Sequence, residues 1–180
     1  MPVAVLDTAL GSIGLAWSAG GLTRLSLPDR SRDATLRRLR SDGAAEEPLP
    51  KMLVATAQAI ARYADGETEA FDAVPLDLSD VEDAFRLAIY AAARALGYGE
   101  TTTYGELAAR AGYPGMAREA GAALGTNPVP LIVPCHRILA AGGKIGGFSA
   151  PGGSSTKLRL LSLEGVSLGP RPSTQAAFAF

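Results

Sequence analysis

The chain carries one cysteine and one histidine, and they are adjacent, at Cys135 and His136. A cysteine thiolate is a nucleophile, and positive charge on the neighbouring His136 or Arg137 would stabilise it. A cysteine–histidine pair also requires a third group that orients the imidazole, for which the carboxylate of Glu164 is a candidate. A lone cysteine is more often a small buried hydrophobic residue. These two residues, however, follow a short buried strand predicted at residues 131–133, and a strand end favours a functional role.

A second pattern lies on a helix predicted over residues 114–124. Ala117, Gly121 and Gly125 are spaced at i, i+4 and i+8, which leaves one helix face nearly bare, with Arg118 at its edge. Small residues of this kind permit close packing against another helix. They also permit a helix to press against a narrow nucleic-acid minor groove, into which a long cationic side chain would reach. The pattern alone leaves both interpretations open.

The composition excludes several other kinds of protein. Hydrophobic residues make up 47% of the 180 residues and charged residues 19%, which is incompatible with disorder. One cysteine cannot form an intramolecular disulfide, and one cysteine with one histidine is too few for a zinc site of soft ligands, so we expect no metal. No apolar run reaches the ~18 residues that span a bilayer, and Asp7 precedes any signal-peptide core. The sequence therefore predicts a cytoplasmic protein without a membrane partner.

Apolar periodicity predicts the elements that would position these residues. Period-2 patterns within residues 1–28 predict an antiparallel hairpin or meander, and FDAVPLDL at residues 71–78 predicts an edge strand. Helical spacing predicts helices over the following ranges: 31–40, 50–64, 81–97, 103–110, 114–124 and 156–163. The pair at 103–110 and 114–124, joined by a glycine-containing turn, is typical of a helix-turn-helix.

The character of the chain changes near residue 80. Residues 1–80 hold 8 Lys/Arg against 12 Asp/Glu, a net charge of −4, whereas residues 81–180 hold 9 against 6, a net charge of +3. We predict an α+β fold: an N-terminal antiparallel β-sheet with helices at 1–79, then a mainly helical domain at 80–166 with a helix-turn-helix and a cysteine-bearing loop. A loose tail follows at 167–180. The basic C-terminal half is compatible with a polyanionic partner.

The run NPVPLIVPCHRI, from Asn127 to Ile138, resembles the active-site signature of O6-alkylguanine-DNA alkyltransferases, also called methylated-DNA–protein-cysteine methyltransferases. The resemblance covers about residues 81–166, and the N-terminal half matches more loosely, mainly through its DTxLGxIG hairpin and the region of Tyr63 and Phe71. Further matching segments are TYGELA at 103–108, the Ala117-Arg118 helix, GFS at 147–149 and LEG at 163–165. The fold that the resemblance implies agrees with the fold predicted above.

The resemblance implies a DNA-repair protein that moves a methyl or larger alkyl group from guanine O6, with thymine O4 as a second lesion, onto Cys135. The transfer would be irreversible, so each molecule acts once, and no cofactor is needed. By similarity, His136 would take the thiol proton through water and Glu164 would hold His136. Tyr104 would donate a hydrogen bond to the guanine ring, and Asn127 would stabilise the turn before the cysteine.

The implied partner is double-stranded DNA that carries O6-alkylguanine, bound through its minor groove by a monomer. Arg118 would enter the stack where the damaged base leaves it, because chemistry on a base requires that base to be flipped out. The other residues expected at the DNA are Thr103, Ala117, Gly121 and Ala122. Those expected to line the substrate pocket are Pro130, Val133, Phe148 and Ser149.

Three alternatives differ in chemistry or substrate. A hydrolase with a cysteine–histidine dyad would turn over repeatedly, and its two residues are usually farther apart in sequence. A non-catalytic DNA-damage-binding module would not need the cysteine that this chain has. A scavenger of small alkylated molecules would keep the chemistry but not the DNA.

Overall fold

The computed structural model describes residues 1–39 and 44–168. Its N-terminal sheet has three antiparallel strands in the order β1-β2-β3, as the alternating pattern predicted: β1 (Val3–Thr8), β2 (Gly11–Trp17) and β3 (Leu22–Ser26). Helix α1 (Arg32–Leu39) covers one face of the sheet, and the main core covers the other. Gly14 permits this close approach, because a Cβ there would lie 2.3 Å from the Leu39 side chain.

Helix α2 (Lys51–Ala64) follows, as predicted, but the edge strand expected at residues 71–78 is wrong. The segment forms one isolated bridge, between Leu22 and Leu76, with Leu22 N donating to Pro75 O at 2.8 Å. Asp77 N also donates to Leu22 O, at 3.0 Å, but Pro75 has no N–H to donate to a ladder and the pairing does not extend beyond this bridge.

The C-terminal half contains four helices among its described residues: α3 (Ala84–Arg94), α4 (Tyr104–Arg110), α5 (Ala117–Gly125) and α6 (Ser154–Leu163). Helix α4 begins with the predicted capping box, formed by Thr103 and Glu106. Helix α5 begins at Ala117, not at Pro114 as expected, because Gly115 has φ +86° and ends any helical path before it. The helix-turn-helix pair is present.

The buried strand expected at residues 131–133 is also wrong. These residues form a turn in which Leu131 has φ +77°, and a three-residue 3₁₀ turn, Cys135–Arg137, follows. The strand pairing in this half is instead a short parallel pair, β4 (Thr102–Thr103) with β5 (Ile138–Leu139). This pair places the end of the cysteine turn beside the start of α4.

The two halves share one hydrophobic core, so their division at residues 79/80 remains a prediction. Backbone hydrogen bonding also joins them, because Leu25 N in β3 donates to Pro128 O at 2.9 Å. Arg94 Nη2 in α3 donates to the carbonyls of Phe71 and Asp72. The α+β class is confirmed, and most of the expected tail, residues 169–180, lies outside the described residues. None of the described helices is long and apolar enough to cross a bilayer.

Candidate active site

Cys135 begins the 3₁₀ turn and is 6% exposed. The loop before it is closed by Asn127, whose Nδ2 donates to Val133 O at 2.8 Å and whose Oδ1 accepts from Val129 N at 3.0 Å. Because one amide side chain holds both the start and the end of the loop, the position of the sulfur depends on Asn127. The structure thus places Asn127 at the turn for which it was predicted.

The carboxylate of Glu164, at the end of α6, is completely buried and accepts five hydrogen bonds. Its Oε1 accepts from His136 Nε2 at 2.7 Å, Tyr63 OH at 2.8 Å and Arg137 Nη2 at 3.0 Å. Its Oε2 accepts from Arg137 Nε and from Gly99 N, both at 2.9 Å. We call these five residues the Glu164 network; they come from both halves of the chain.

This network determines the protonation states of Glu164 and His136. Burial alone would raise the pKa of Glu164, but the hydrogen bonds from His136 and Arg137 outweigh it and hold that pKa far below its usual range. Burial lowers the pKa of His136, so the imidazole is neutral at pH 7. Since Nε2 lies against the carboxylate, hydrogen-bond geometry assigns the proton to Nε2. Nδ1 is then an acceptor, and it is buried without a partner among the described residues.

The cysteine is a thiol at rest. Burial raises the pKa of Cys135, while the Asn127 side chain, the charge of Lys157 and nearby backbone N–H groups act in the opposite direction. Those same groups would stabilise a thiolate once a base removes the proton. A neutral imidazole with a free Nδ1 is a suitable base for that step.

Lys157 is the most unusual residue near the sulfur, because its side chain is fully buried. Its Nζ donates to Ile138 O and to Gly147 O, and so connects β5 to the segment between β5 and α6. The ammonium also lies 5.8 Å from the centre of the Tyr104 ring. Burial lowers the pKa of Lys157 to about 8, so it is largely charged at pH 7.

A cavity of about 300 Å³, which we call the base cavity, opens onto Cys135. Its walls include Tyr104, Gly121, Phe148 and Ser149. Burial raises the pKa of Tyr104, which keeps the phenol protonated as a donor. Its only described hydrogen bond is a long one, 3.5 Å to Gly147 O, so the hydroxyl is available to a ligand.

A second cavity, of about 280 Å³, reaches Cys135 from the side of the N-terminal half, and we call it the interdomain cavity. Pro130 lines this cavity rather than the base cavity. Val133 was expected in the substrate pocket, but it lines neither cavity. Its side chain is fully buried in the core, and its carbonyl accepts from Asn127 instead.

The residues expected at DNA lie on the outside of the helix-turn-helix. Arg118 and Ala122 are exposed on α5, while Ala117 and Gly121 are partly exposed beside them. The opposite face of α5 is buried in the core through Ala120, Ala123 and Leu124. Thr103 caps α4 and is therefore held by the helix start.

Sequence reasoning missed three contributors to the site. Tyr63 lies in a region that loosely resembles the family, but its spacing on α2 is that of a core aromatic residue and predicted no role in the site. Gly99 contributes only a backbone N–H and carried no signal. Lys157 did carry one, because it shares an inward-facing helical stripe with Leu160 and Glu164. Within the described residues, no cluster of His, Cys, Asp and Glu could hold a metal ion.

Replacing Glu164 with Gln should destabilise the fold in a pH-dependent manner. The substitution leaves the buried Arg137 without its counter-charge, which typically lowers the free energy of unfolding by about 3–5 kcal/mol. Because the folded-state pKa of Glu164 is lowered, its contribution is complete above the ordinary value of 4.5 and is lost as the pH falls towards the folded-state value. Urea unfolding of both proteins should give this difference at pH 7 and a smaller one below pH ~4.5. A difference under ~1 kcal/mol at pH 7 would contradict the network.

Comparison with known proteins places this geometry in a family. Residues 84–166 match the family model described as 6-O-methylguanine DNA methyltransferase, DNA binding domain. The methylated-DNA–protein-cysteine methyltransferase of Mycobacterium leprae is 38% identical over 160 residues, which cover 88% of this chain and 89% of that protein. The corresponding protein of Mycolicibacterium paratuberculosis is 35% identical over 159 residues, with coverage of 88% and 89%.

A solved structure agrees with these sequence matches. Mycobacterium tuberculosis OGT in complex with DNA has a TM-score of 0.75 and 33% identity to this chain, and the match covers 92% of this chain and 93% of that one. The similarity therefore includes the N-terminal half, where the motifs were weaker. The resemblance first seen in the run around Cys135 is confirmed: the chain belongs to the methylated-DNA–protein-cysteine methyltransferase family.

Proposed function

We propose that this protein repairs DNA by transferring an alkyl group from guanine O6 to the sulfur of its own Cys135. The observation that carries this proposal is that Cys135 lines a cavity and is followed in the chain by a buried imidazole. The cavity has room for a flipped base, and the imidazole is aligned by a carboxylate. A relative in this family, M. tuberculosis OGT, has been solved in complex with DNA, which supports DNA as the partner.

The outside of α5 would hold the DNA at its minor groove. Its partly bare face, formed by Ala117, Gly121 and Ala122, permits close approach of the backbone to a narrow groove. Arg118 projects from the same helix and would fill the stack when the alkylated guanine rotates out. The base would then enter the base cavity, where the Tyr104 phenol meets the ring as negative charge develops on it.

The proton has a defined route in this arrangement. His136 Nδ1 would accept the thiol proton, through water, while Nε2–H stays bonded to Glu164. The thiolate, supported by Asn127 and Lys157, would attack the alkyl carbon, and the C–O6 bond would break with its electron pair on the guanine. The guanine takes up a proton, so no net charge is created.

The product explains why each molecule would act once. A thioether has no activated carbonyl, so water cannot release the alkyl group as it releases an acyl group from an acyl-enzyme. No cofactor takes part in these steps. We further propose a monomer that acts in the cytoplasm, where reducing conditions keep the single thiol free.

Intact-mass measurement tests the proposal directly. After incubation with a duplex containing one O6-methylguanine, the protein should gain the mass of one CH₂ group on the peptide that contains Cys135. Cys135→Ser should show no gain yet bind the duplex within a few-fold, because a hydroxyl is far less ionised than a thiol at neutral pH. Modification of another residue, or repeated turnover without modification, would reject it; repeated turnover would favour the hydrolase alternative.

Arg118→Ala should slow repair of duplex DNA by about tenfold to a hundredfold, since unstacking a base costs a few kcal/mol that the arginine helps to offset. Reaction with free O6-methylguanine should change much less. Arg110→Ala is a matched control, because Arg110 lies exposed at the end of α4 and, within the described part of the chain, its side chain pairs with the exposed Glu100 alone. Single-turnover rates on both substrates give the comparison. Equal losses of rate on both substrates would mean that Arg118 acts in the substrate pocket or stabilises the fold.

A further inference from the structure

Cys135 lines both cavities, and in an in-line displacement each cavity would hold a different part of the substrate. The alkyl carbon must lie between the sulfur and guanine O6, with the guanine filling the base cavity. Any part of the alkyl group beyond that first carbon must therefore extend elsewhere. The interdomain cavity is a second space that reaches Cys135, and the two cavities also share Gly125 and Ser149.

The interdomain cavity is large enough for such an extension. Its volume of about 280 Å³ compares with the ~30 Å³ that one water occupies in the liquid, so a chain of several non-hydrogen atoms fits. Its N-terminal wall is β3 and α1, and its C-terminal wall includes Asn127 and Pro130. The hydrogen bond from Leu25 N to Pro128 O joins the two walls at 2.9 Å.

The charge of the lining indicates what kind of extension fits. Among the lining residues that the structure describes, Arg24 and Arg38 are cationic and none is acidic. Arg38 is neutralised by Asp29, which accepts from its Nε at 2.6 Å. Arg24 also borders a neighbouring cleft lined by Asp77 and Asp80, but it forms no ion pair there or with any other described residue. Arg24 lies on the paired strand β3, opposite Ala16, and its exposed side chain leaves its charge available.

We infer that the interdomain cavity is a subsite for O6-alkyl groups that end in a carboxylate, such as carboxymethyl, and that Arg24 determines this specificity. The inference rests on the proposed alkyl transfer and adds a substrate class to it. A guanidinium binds a carboxylate through charge-assisted hydrogen bonds, which discriminate against a neutral group of the same size. Arg24 would act on the extension and not on the reacting carbon.

The chemical step is unchanged by the extension. The Cys135 sulfur forms a bond to the CH₂ carbon, the bond from that carbon to O6 breaks, and its electron pair stays on the guanine. The proton that leaves the thiol is balanced by the proton that the guanine takes up. The product is S-carboxymethylcysteine, with its carboxylate still ionised beside Arg24.

The test compares two O6-substituents that match in size and differ in charge, carboxymethyl and its neutral amide, carbamoylmethyl, in the same duplex. The measured quantity is the single-turnover rate on carboxymethyl divided by the rate on carbamoylmethyl. The intrinsic reactivities of the two substrates affect this ratio equally in every protein, so a difference in the ratio between two proteins reports the protein alone. Arg24→Gln should lower this ratio about threefold to tenfold, as expected for one partly exposed charge pair. Lys51→Gln makes the same charge change outside the cavity and should leave the ratio unchanged.

Each outcome has a distinct meaning. The transfer of methyl from O6-methylguanine should stay within about twofold in both variants, since a methyl group has no part beyond its first carbon that could extend into the interdomain cavity. An unchanged ratio in Arg24→Gln would overturn the subsite. Equal slowing of all three substrates would also overturn it, by assigning Arg24 to the DNA backbone. Absence of methyl transfer in the unmodified protein would instead reject the proposed function itself.

Discussion

The buried carboxylate of Glu164 is the interaction on which the rest of the site depends. An ion taken out of water is stable only when hydrogen bonds replace its hydration, and here five of them do so. The donors come from α2 through Tyr63, from the α3–α4 connection through Gly99 and from the cysteine turn through His136 and Arg137. Together with the end of α6, which carries Glu164, these donors make four segments that one charge fixes relative to one another. The N-terminal half thereby becomes part of the site.

The same burial gives the reactive pair its chemistry. Burial keeps Cys135 protonated and His136 neutral, so the resting protein holds a poorly reactive thiol beside an available base. In the proposed reaction, the thiol gains reactivity when a bound alkylguanine aligns its alkyl carbon with the sulfur. A thiolate exposed to solvent would be open to oxidation, and oxidation would inactivate a protein that can react only once.

The sequence predicted those parts of the fold that depend on local pattern. The three-stranded meander, the capping box at Thr103 and the helix-turn-helix follow from alternation, capping and turn residues close together in the chain. The strands expected at residues 71–78 and 131–133 failed because Pro75 and the left-handed Leu131 interrupt pairing that apolar content alone suggested. In the site, the Cys135 motif was readable, whereas the Tyr63–Glu164 contact joins residues 101 positions apart and arises only from tertiary packing.

The most direct test of this account is the protonation state of the imidazole. The chain has one histidine, so the side-chain ¹⁵N signals of labelled protein report His136 alone. We predict a neutral ring at pH 7, with the proton on Nε2 and an unprotonated Nδ1, that stays neutral at pH ~6.5, where a free histidine is half protonated. A ring protonated on Nδ1, or an imidazolium at pH 7, would contradict the account, because His136 could not then take the proton of Cys135.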